Sequence, residues 1–501
     1  MSHPPSTFDA MFATVLSTAL VGVEPQQVRV EAHVSGGGKP VFVIVGLPDA
    51  AVREARERVR AALASSTYTF PSRRVVVNLS PADLPKVGSA YDLPIALGIL
   101  AAARLIPPAA ADVVALGELA LDGSVRSVRG GLGAALVARA ARRPCLLPAE
   151  AAGEAAGRSE LPVHAVRSLA HAVQVARGIA PGDPVSPPRR ETGTGVDLAT
   201  VRGLGGPRRA LEIAAAGGHH LLLIGTPGAG KTMLARAFPG TLPVLAGDEV
   251  DEVALVWAAA GLARPVPQSP PYRAPHHSAS LAALVGGGSG MPVPGEVALA
   301  HRGVLFLDEL GEFPPHLLDG LRQPIEDGHV VIARKGASVR FPCRMQVVAA
   351  TNPCPCGFRG DPLVGCDCPD GVVARYRRRL SGPFLDRFDV RVRVPRLRPE
   401  ELGGPAGEST GSVRRRVAAA RTRQRERGAL NRDLAGDELE RVPWSEAARA
   451  ALASAADQMV LTARGWDRVR RVARTIADLA GEAQVAEPHV AEALALRGGF
   501  S

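Results

Sequence analysis

The spacing of apolar positions divides the chain into three stretches. Between residues 8 and 178, short runs rich in Val, Ile and Leu interleave with longer runs in which apolar residues recur every three or four positions. The short runs predict strands at 28–34, 41–45, 75–79 and 113–117. The longer ones predict helices at 50–64, 92–103 and 131–141. Strands and helices mixed in this way point to an α/β or α+β domain over 1–179. A segment with Pro181, Pro184, Pro187 and Pro188 follows, which predicts an extended, exposed linker over 180–195. Residues 196–395 read as a second α/β region. Residues 396–501 read as helical after a Gly/Pro-rich break at 403–411.

The second region carries the clearest chemistry. The apolar run His219-His220-Leu221-Leu222-Leu223-Ile224 leads into Gly225-Thr226-Pro227-Gly228-Ala229-Gly230-Lys231-Thr232, and a helical stretch follows at 233–238. Strand, glycine-rich loop with a terminal Lys-Thr, and helix make up a phosphate-binding loop. Its glycines let backbone N–H groups curl round phosphate oxygens, Lys231 reaches the β- and γ-phosphates, and the Thr232 hydroxyl ligates Mg²⁺. A second strand, 304–307, ends in Asp308-Glu309. There Asp308 is expected to hold magnesium and Glu309 to polarise an attacking water. A third strand, 346–351, ends in Asn352, whose amide can orient that water or touch the γ-phosphate, or can simply serve a turn. ATP and Mg²⁺ are therefore the expected ligands.

Composition changes this picture little. The chain has 501 residues, enough for about three domains. Aromatics are only 4 %, so its cores must be built mainly from Ala, Val and Leu. The net charge of +10 is compatible with nucleic acid, but only four lysines contribute and the rest is Arg, which a solvated arginine-rich surface explains equally well. The longest N-terminal apolar run, 11–23, lacks a preceding basic segment, and no run of about 18 uncharged apolar residues occurs. Neither a signal peptide nor a membrane span is expected, and the cytoplasm is the expected location.

Six cysteines include four within fifteen positions: Cys354-x-Cys356 and Cys366-x-Cys368. In a Gly/Pro-rich setting these could close a tetrahedral, structural Zn²⁺ site, with free thiols or a redox pair as the alternatives. Cys145 and Cys343 read as packing residues. Residues 328–341 alternate on both sides of Arg334-Lys335-Gly336, which predicts a β-hairpin with a basic tip. Arg334 and Lys335 could contact nucleic-acid phosphates or be solvated turn residues. The glycine-rich segment 282–294 reads as a mobile insertion, and His276 and His277 upstream of it as structural or surface histidines. The basic runs 375–379 and 414–427 could track DNA but more commonly mark a solvated helix face.

These motifs resemble those of the magnesium-chelatase-like AAA+ ATPases of the YifB/ComM type, over nearly the whole chain. The resemblance rests on Gly46-Leu47-Pro48-Asp49, Asn78-Leu79-Ser80-Pro81-Ala82-Asp83, Pro85-Lys86-Val87-Gly88 and Tyr91-Asp92-Leu93-Pro94. It continues with Arg273-Ala274-Pro275-His276-His277-Ser278, Pro294-Gly295-Glu296 and Leu321-Arg322-Gln323-Pro324-Ile325-Glu326. Asn352-Pro353-Cys354-Pro355-Cys356-Gly357 and Ala473-Arg474-Thr475-Ile476-Ala477-Asp478-Leu479 complete it. Thr226 stands where the family commonly has Pro.

The resemblance implies a P-loop AAA+ core, a C-terminal helical lid and an N-terminal domain like ribosomal protein S5 and the Lon protease. It implies a sensor role for Asn352 and an arginine-finger role for Arg387, in Leu385-Asp386-Arg387-Phe388-Asp389, which would act on a neighbouring subunit's nucleotide in a homo-hexamer. It implies a second sensor at Arg464, with Arg468 as competitor. It also implies a pore-facing hairpin and activity on single-stranded or branched DNA, namely branch migration in natural transformation. The alternatives are the ATPase subunit of a metal chelatase or a protein remodeller. Ser89 resembles the Lon nucleophile but is out of register by one residue, and no lysine follows it inside the N-terminal domain. No peptidase activity is expected.

Overall fold

In the computed structural model the apolar run at 11–23 forms a strand, Met11–Val21. It pairs antiparallel along its whole length with Glu24–Val34 through a turn at Gly22, whose φ is +62°. The structure describes residues 11–35, 39–47, 49–86, 88–155, 163–185, 195–262, 269–288, 291–334, 337–380, 382–459 and 461–498. The chain divides into two units, one formed by Met1–Arg190 with Ala254–Val266, the other by Glu191–Val253 with Pro267–Ser501. Among the described residues no helix is long and apolar enough to cross a membrane.

The first unit is built on a mixed seven-stranded sheet. Its order is Val41–Val45, Arg74–Ser80, Glu24–Val34, Met11–Val21, Val114–Ala115, Cys145–Leu147, Val163–Ala165. Helix Ala50–Ser65 begins at Asp49, whose carboxylate accepts the Val52 N–H at 2.8 Å. Helix Asp92–Ala102 is buried on all sides, as its unbroken apolar sequence requires. Its one charge, Asp92, is paired with Arg58 at 2.6 Å. The start of the expected linker is not extended into solvent. The Asp183 N–H donates to Ala165 O at 2.8 Å, Val185 packs on the core, and Asp183 pairs with Arg167. Residues 186–194 lie outside the described residues.

The second unit is built on a five-stranded, wholly parallel sheet. The order is Tyr272–Arg273, Val304–Leu307, Gln346–Thr351, Leu221–Gly225, Val390–Val394. Such a sheet is covered on both faces, so its strands are apolar throughout rather than alternating. Successive residues enter opposite cores. Leu221, Leu223, Val348 and Ala350 join one cluster with helices Gly205–Gly217, Thr410–Glu426 and Ala463–Ala480. Leu222, Val347, Ala349 and Leu305 join the other with helix Pro315–Asp327. Both cores are mainly Ala, Val and Leu.

Buried polar groups tie the C-terminal helices to the sheet and to one another. His219 bridges Asp389 at 3.1 Å and Thr475 at 2.8 Å. The fully buried Asp478 accepts from Arg427, Asn431 and Arg474 at 2.5 to 2.9 Å. Much of the charge in 414–427 is used in this way: Arg416 pairs with Glu212 and Glu408, and Arg421 donates to Ala215 O.

Candidate nucleotide site

In the second unit the three motif-bearing strands are adjacent, and they run in one direction. Parallel order therefore sets the ends of Leu221–Gly225, Val304–Leu307 and Gln346–Thr351 side by side, where open α/β sheets bind ligands. Gly225 ends the first strand. A Cβ there would lie 2.3 Å from Val394 O, so only glycine permits the close approach of Val390–Val394. Gly228 and Gly230 have φ of +77° and +93°, and nothing lies within 4 Å of a Cβ on Gly228. Helix Lys231–Thr241 then starts with its N-terminus at the loop.

Lys231 Nζ donates to Gly225 O at 2.7 Å, Thr226 O at 2.9 Å and Asn352 Oδ1 at 3.0 Å. Burial lowers its pKa from the ordinary lysine value, against the opposing pull of Asp308 and Glu309. Thr232 Oγ1 donates to Asp308 Oδ2 at 3.0 Å. The loop, the acidic pair and the amide thus meet in one place. Glu309 has a φ of +50°, a left-handed conformation costing about 1–3 kcal/mol for a non-glycine residue, and its N–H donates to Asp308 Oδ1 at 3.0 Å. Thr226 Oγ1 is buried without a hydrogen-bond partner among the described residues. Open space over glycine N–H groups, a lysine ammonium, and a hydroxyl beside a carboxylate suit a triphosphate with magnesium.

Sequence reasoning missed His277 here. Its Nδ1 lies 3.6 Å from Glu309 Oε2, and its ring centroid lies 4.0 Å from that of His276, the two rings tilted by 36°. Arg273, in the same motif and at the end of the strand beside Val304–Leu307, is clamped to Glu296 by two bonds of 2.6 and 2.7 Å.

Arg387 and Arg464 are not part of this assembly. Both line a separate cavity of about 770 Å³, along with Arg432, Arg468 and Arg471, and no P-loop residue lines it. Arg387 is held by groups of its own chain: it donates to Pro383 O at 2.8 Å and forms an ion pair with Glu326. Arg468 is buried between Asp386 and Asp389, whereas Arg464 is exposed at the start of helix Ala463–Ala480.

The hairpin forms from His329–Arg334 and Ala337–Pro342, with Arg334 opposite Ala337. Arg334 is exposed, with Nε 3.3 Å from Gly288 O. Lys335 lies outside the described residues. The segment 282–294, expected to be a mobile loop, instead contains helix Leu281–Val285 and a short ladder of Gly286–Gly287 with Val293–Pro294. Glycine is required at Gly286 (φ +113°), where a Cβ would meet Ile332 of the hairpin at 2.5 Å. The composition showed the flexibility of these glycines but not the close packing they allow. Tyr376 in the basic run 375–379 is buried, with its hydroxyl 3.2 Å from Thr351 Oγ1, so it offers no stacking surface for a base. In the first unit the Ser89 hydroxyl is bonded to Glu118, and Lys86 is buried on Pro81 O.

The cysteines also come together. Cys354, Cys356, Cys366 and Cys368 place their sulfurs within 4.8 Å of one another, while Cys145 and Cys343 are buried singly.

Comparison with known proteins agrees with this arrangement. Three family models match in succession: subunit ChlI of Mg-chelatase over 30–151, magnesium chelatase subunit ChlI over 197–402, and the ChlI C-terminal model over 407–497. The competence protein ComM of Haemophilus influenzae is 42 % identical over 97 % of both chains, and the Escherichia coli protein YifB is 41 % identical over 96 % of both. The magnesium-chelatase subunit ChlI of Synechocystis is 38 % identical, over 22 % of this chain and 24 % of its own. Full-length similarity to ComM and YifB, joined to a parallel sheet with its phosphate loop, shows that the chain belongs to the YifB/ComM-type, magnesium-chelatase-like family of AAA+ ATPases.

Proposed function

We propose that the chain is an ATP-hydrolysing ring motor that remodels single-stranded or branched DNA as a homo-hexamer in the cytoplasm. In this reading 1–179 is an S5/Lon-like domain, 196–395 the AAA+ core and 396–501 a helical lid. The ATPase reading rests on one observation: Lys231 and Asn352 meet at 3.0 Å, beside a Thr232–Asp308 contact of 3.0 Å. ATP supplies the phosphoanhydride bond to be cleaved, and Mg²⁺ offsets the charge of its phosphates. Lys231 and the loop N–H groups grip the phosphates, and Thr232 and Asp308 hold the metal. Glu309 accepts a proton from the attacking water, which Asn352 orients.

The ring reading takes Arg387 as an arginine finger acting on a neighbouring chain's nucleotide, and it is supported by Arg387 lining a cavity that no P-loop residue of its own chain lines. The DNA reading is supported by the exposed Arg334 at the end of a hairpin, by the +10 charge, and by full-length similarity to a protein named for competence. A chelatase role has weaker support, because the ChlI similarity covers a small share of either chain.

The test measures ATP turnover with single-stranded, duplex and branched DNA. Lys231→Ala abolishes nucleotide binding. Arg387→Ala keeps binding and lowers turnover by about 10³-fold. Arg334→Ala with Lys335→Ala removes the stimulation by DNA. Turnover indifferent to every DNA form but raised by a protein would overturn the DNA reading.

A further inference from the structure

We propose that Cys354, Cys356, Cys366 and Cys368 bind one zinc ion, and that this ion braces Asn352 and the phosphate loop. The separations from Cys354 Sγ to Cys356 and Cys366 Sγ are 3.4 and 3.6 Å, and Cys356 lies 3.6 Å from Cys366. Four thiolates at about 2.3 Å from a central zinc lie at the corners of a tetrahedron with edges of about 3.8 Å. These three separations are within a few tenths of an ångström of that figure, and Cys368 Sγ lies within 4.8 Å of the other three, so the four leave room for a single ion. No coordination position stays open, so the metal is structural. Binding releases the four thiol protons.

The surrounding chain needs such a brace. Residues 352–369 contain neither helix nor strand, an unusual length for an irregular segment. Its apolar side chains do not make a core: Leu363 is 70 % exposed. The Arg359 N–H points at Cys354 Sγ at 3.4 Å, which suits a thiolate bound to metal. Cys354, fully buried, is the anchor.

The segment lies directly against the nucleotide site. Asn352 is two residues before Cys354. A Cβ on Gly357 would lie 2.7 Å from Pro227 of the phosphate loop and 3.7 Å from the Asn352 side chain. The knuckle thus fixes where the Asn352 amide meets Lys231. This second half rests on the ATPase reading; zinc binding does not.

Elemental analysis of the full chain is expected to find one zinc per chain, and Cys366→Ser with Cys368→Ser to lose it. That variant is expected to lose about tenfold or more in turnover with KM within about threefold of wild type, because the amide orients water rather than binding nucleotide. Cys366→His, which still offers a zinc ligand, restores metal and turnover together, separating the brace from misfolding. Absence of stoichiometric zinc, or iron or copper in its place, overturns the site. A zinc-free variant that folds and turns over within about twofold of wild type overturns the brace. Zinc retained in a wild-type protein that binds no nucleotide refutes the ATPase reading and leaves the metal site standing.

Discussion

Protonating His220 should loosen the strand that leads into the phosphate loop. The imidazole is buried, and its Nδ1 accepts the Val347 N–H at 2.9 Å, so the neutral ring is the one that fits. A proton on Nδ1 would set N–H against N–H. It would also place a charge near Arg432 and Arg468, with only Asp389 in compensation. Burial first, then Arg432, push the pKa down from 6.5 to about 3. Because the folded value lies below the unfolded one, the unfolded chain takes up the proton first as pH falls. The stability is fully present above pH 6.5 and is lost progressively towards pH 3. At 1.36 kcal/mol per unit, pH 5 removes roughly 2 kcal/mol of it. Asp389, though buried, has its pKa held below the ordinary carboxylate value by His219 and the nearby arginine, and stays ionised at pH 5. His301, whose pKa burial also lowers, acts in the same direction. His220→Gln keeps an acceptor for Val347 but cannot titrate, and His301 is common to both proteins, so its share cancels. Urea titrations at pH 8 and pH 5 should show wild type losing about 2 kcal/mol more than the variant. Equal losses would refute the reasoning.

Two other substitutions probe the site. His277→Ala removes a contact between groups that are 33 % and 62 % exposed, worth at most about 1 kcal/mol, so turnover should fall by no more than about fivefold with nucleotide affinity unchanged; a fall beyond a hundredfold would make His277 a direct participant. Gly225→Ala drives a methyl group against the Val394 carbonyl, a backbone contact that cannot rotate away, and should cost about 3 kcal/mol or more in thermal or urea unfolding; a variant as stable as wild type would mean that the two strands part freely.

Local chemistry was legible in the sequence where the chain carries it in one stretch. The bounds of strand Val41–Val45 and helix Gly131–Ala141 follow from periodicity, and the phosphate loop from eight consecutive residues. What depends on distant segments was not. His277 reaches Glu309 only because sheet order brings Tyr272–Arg273 beside Val304–Leu307. Glu326 pairs with Arg387 across 61 positions, and each alone reads as a surface charge. The run at 11–23 carries no alternation to mark it as a strand, because Val15, Leu16, Ser17 and Thr18 are all buried in succession.

The shared interior of the second unit has a practical corollary. Val413, Val417, Val472 and Ile476, from the last hundred residues, fill the same space as Leu221 and Leu223. A gene fragment stopped where the recognisable nucleotide motifs stop would uncover part of one side of the sheet's core and leave His219 without its Thr475 hydroxyl. The smallest piece of this half that can stand alone is therefore longer than its signatures suggest, and reaches to the far end of the polypeptide.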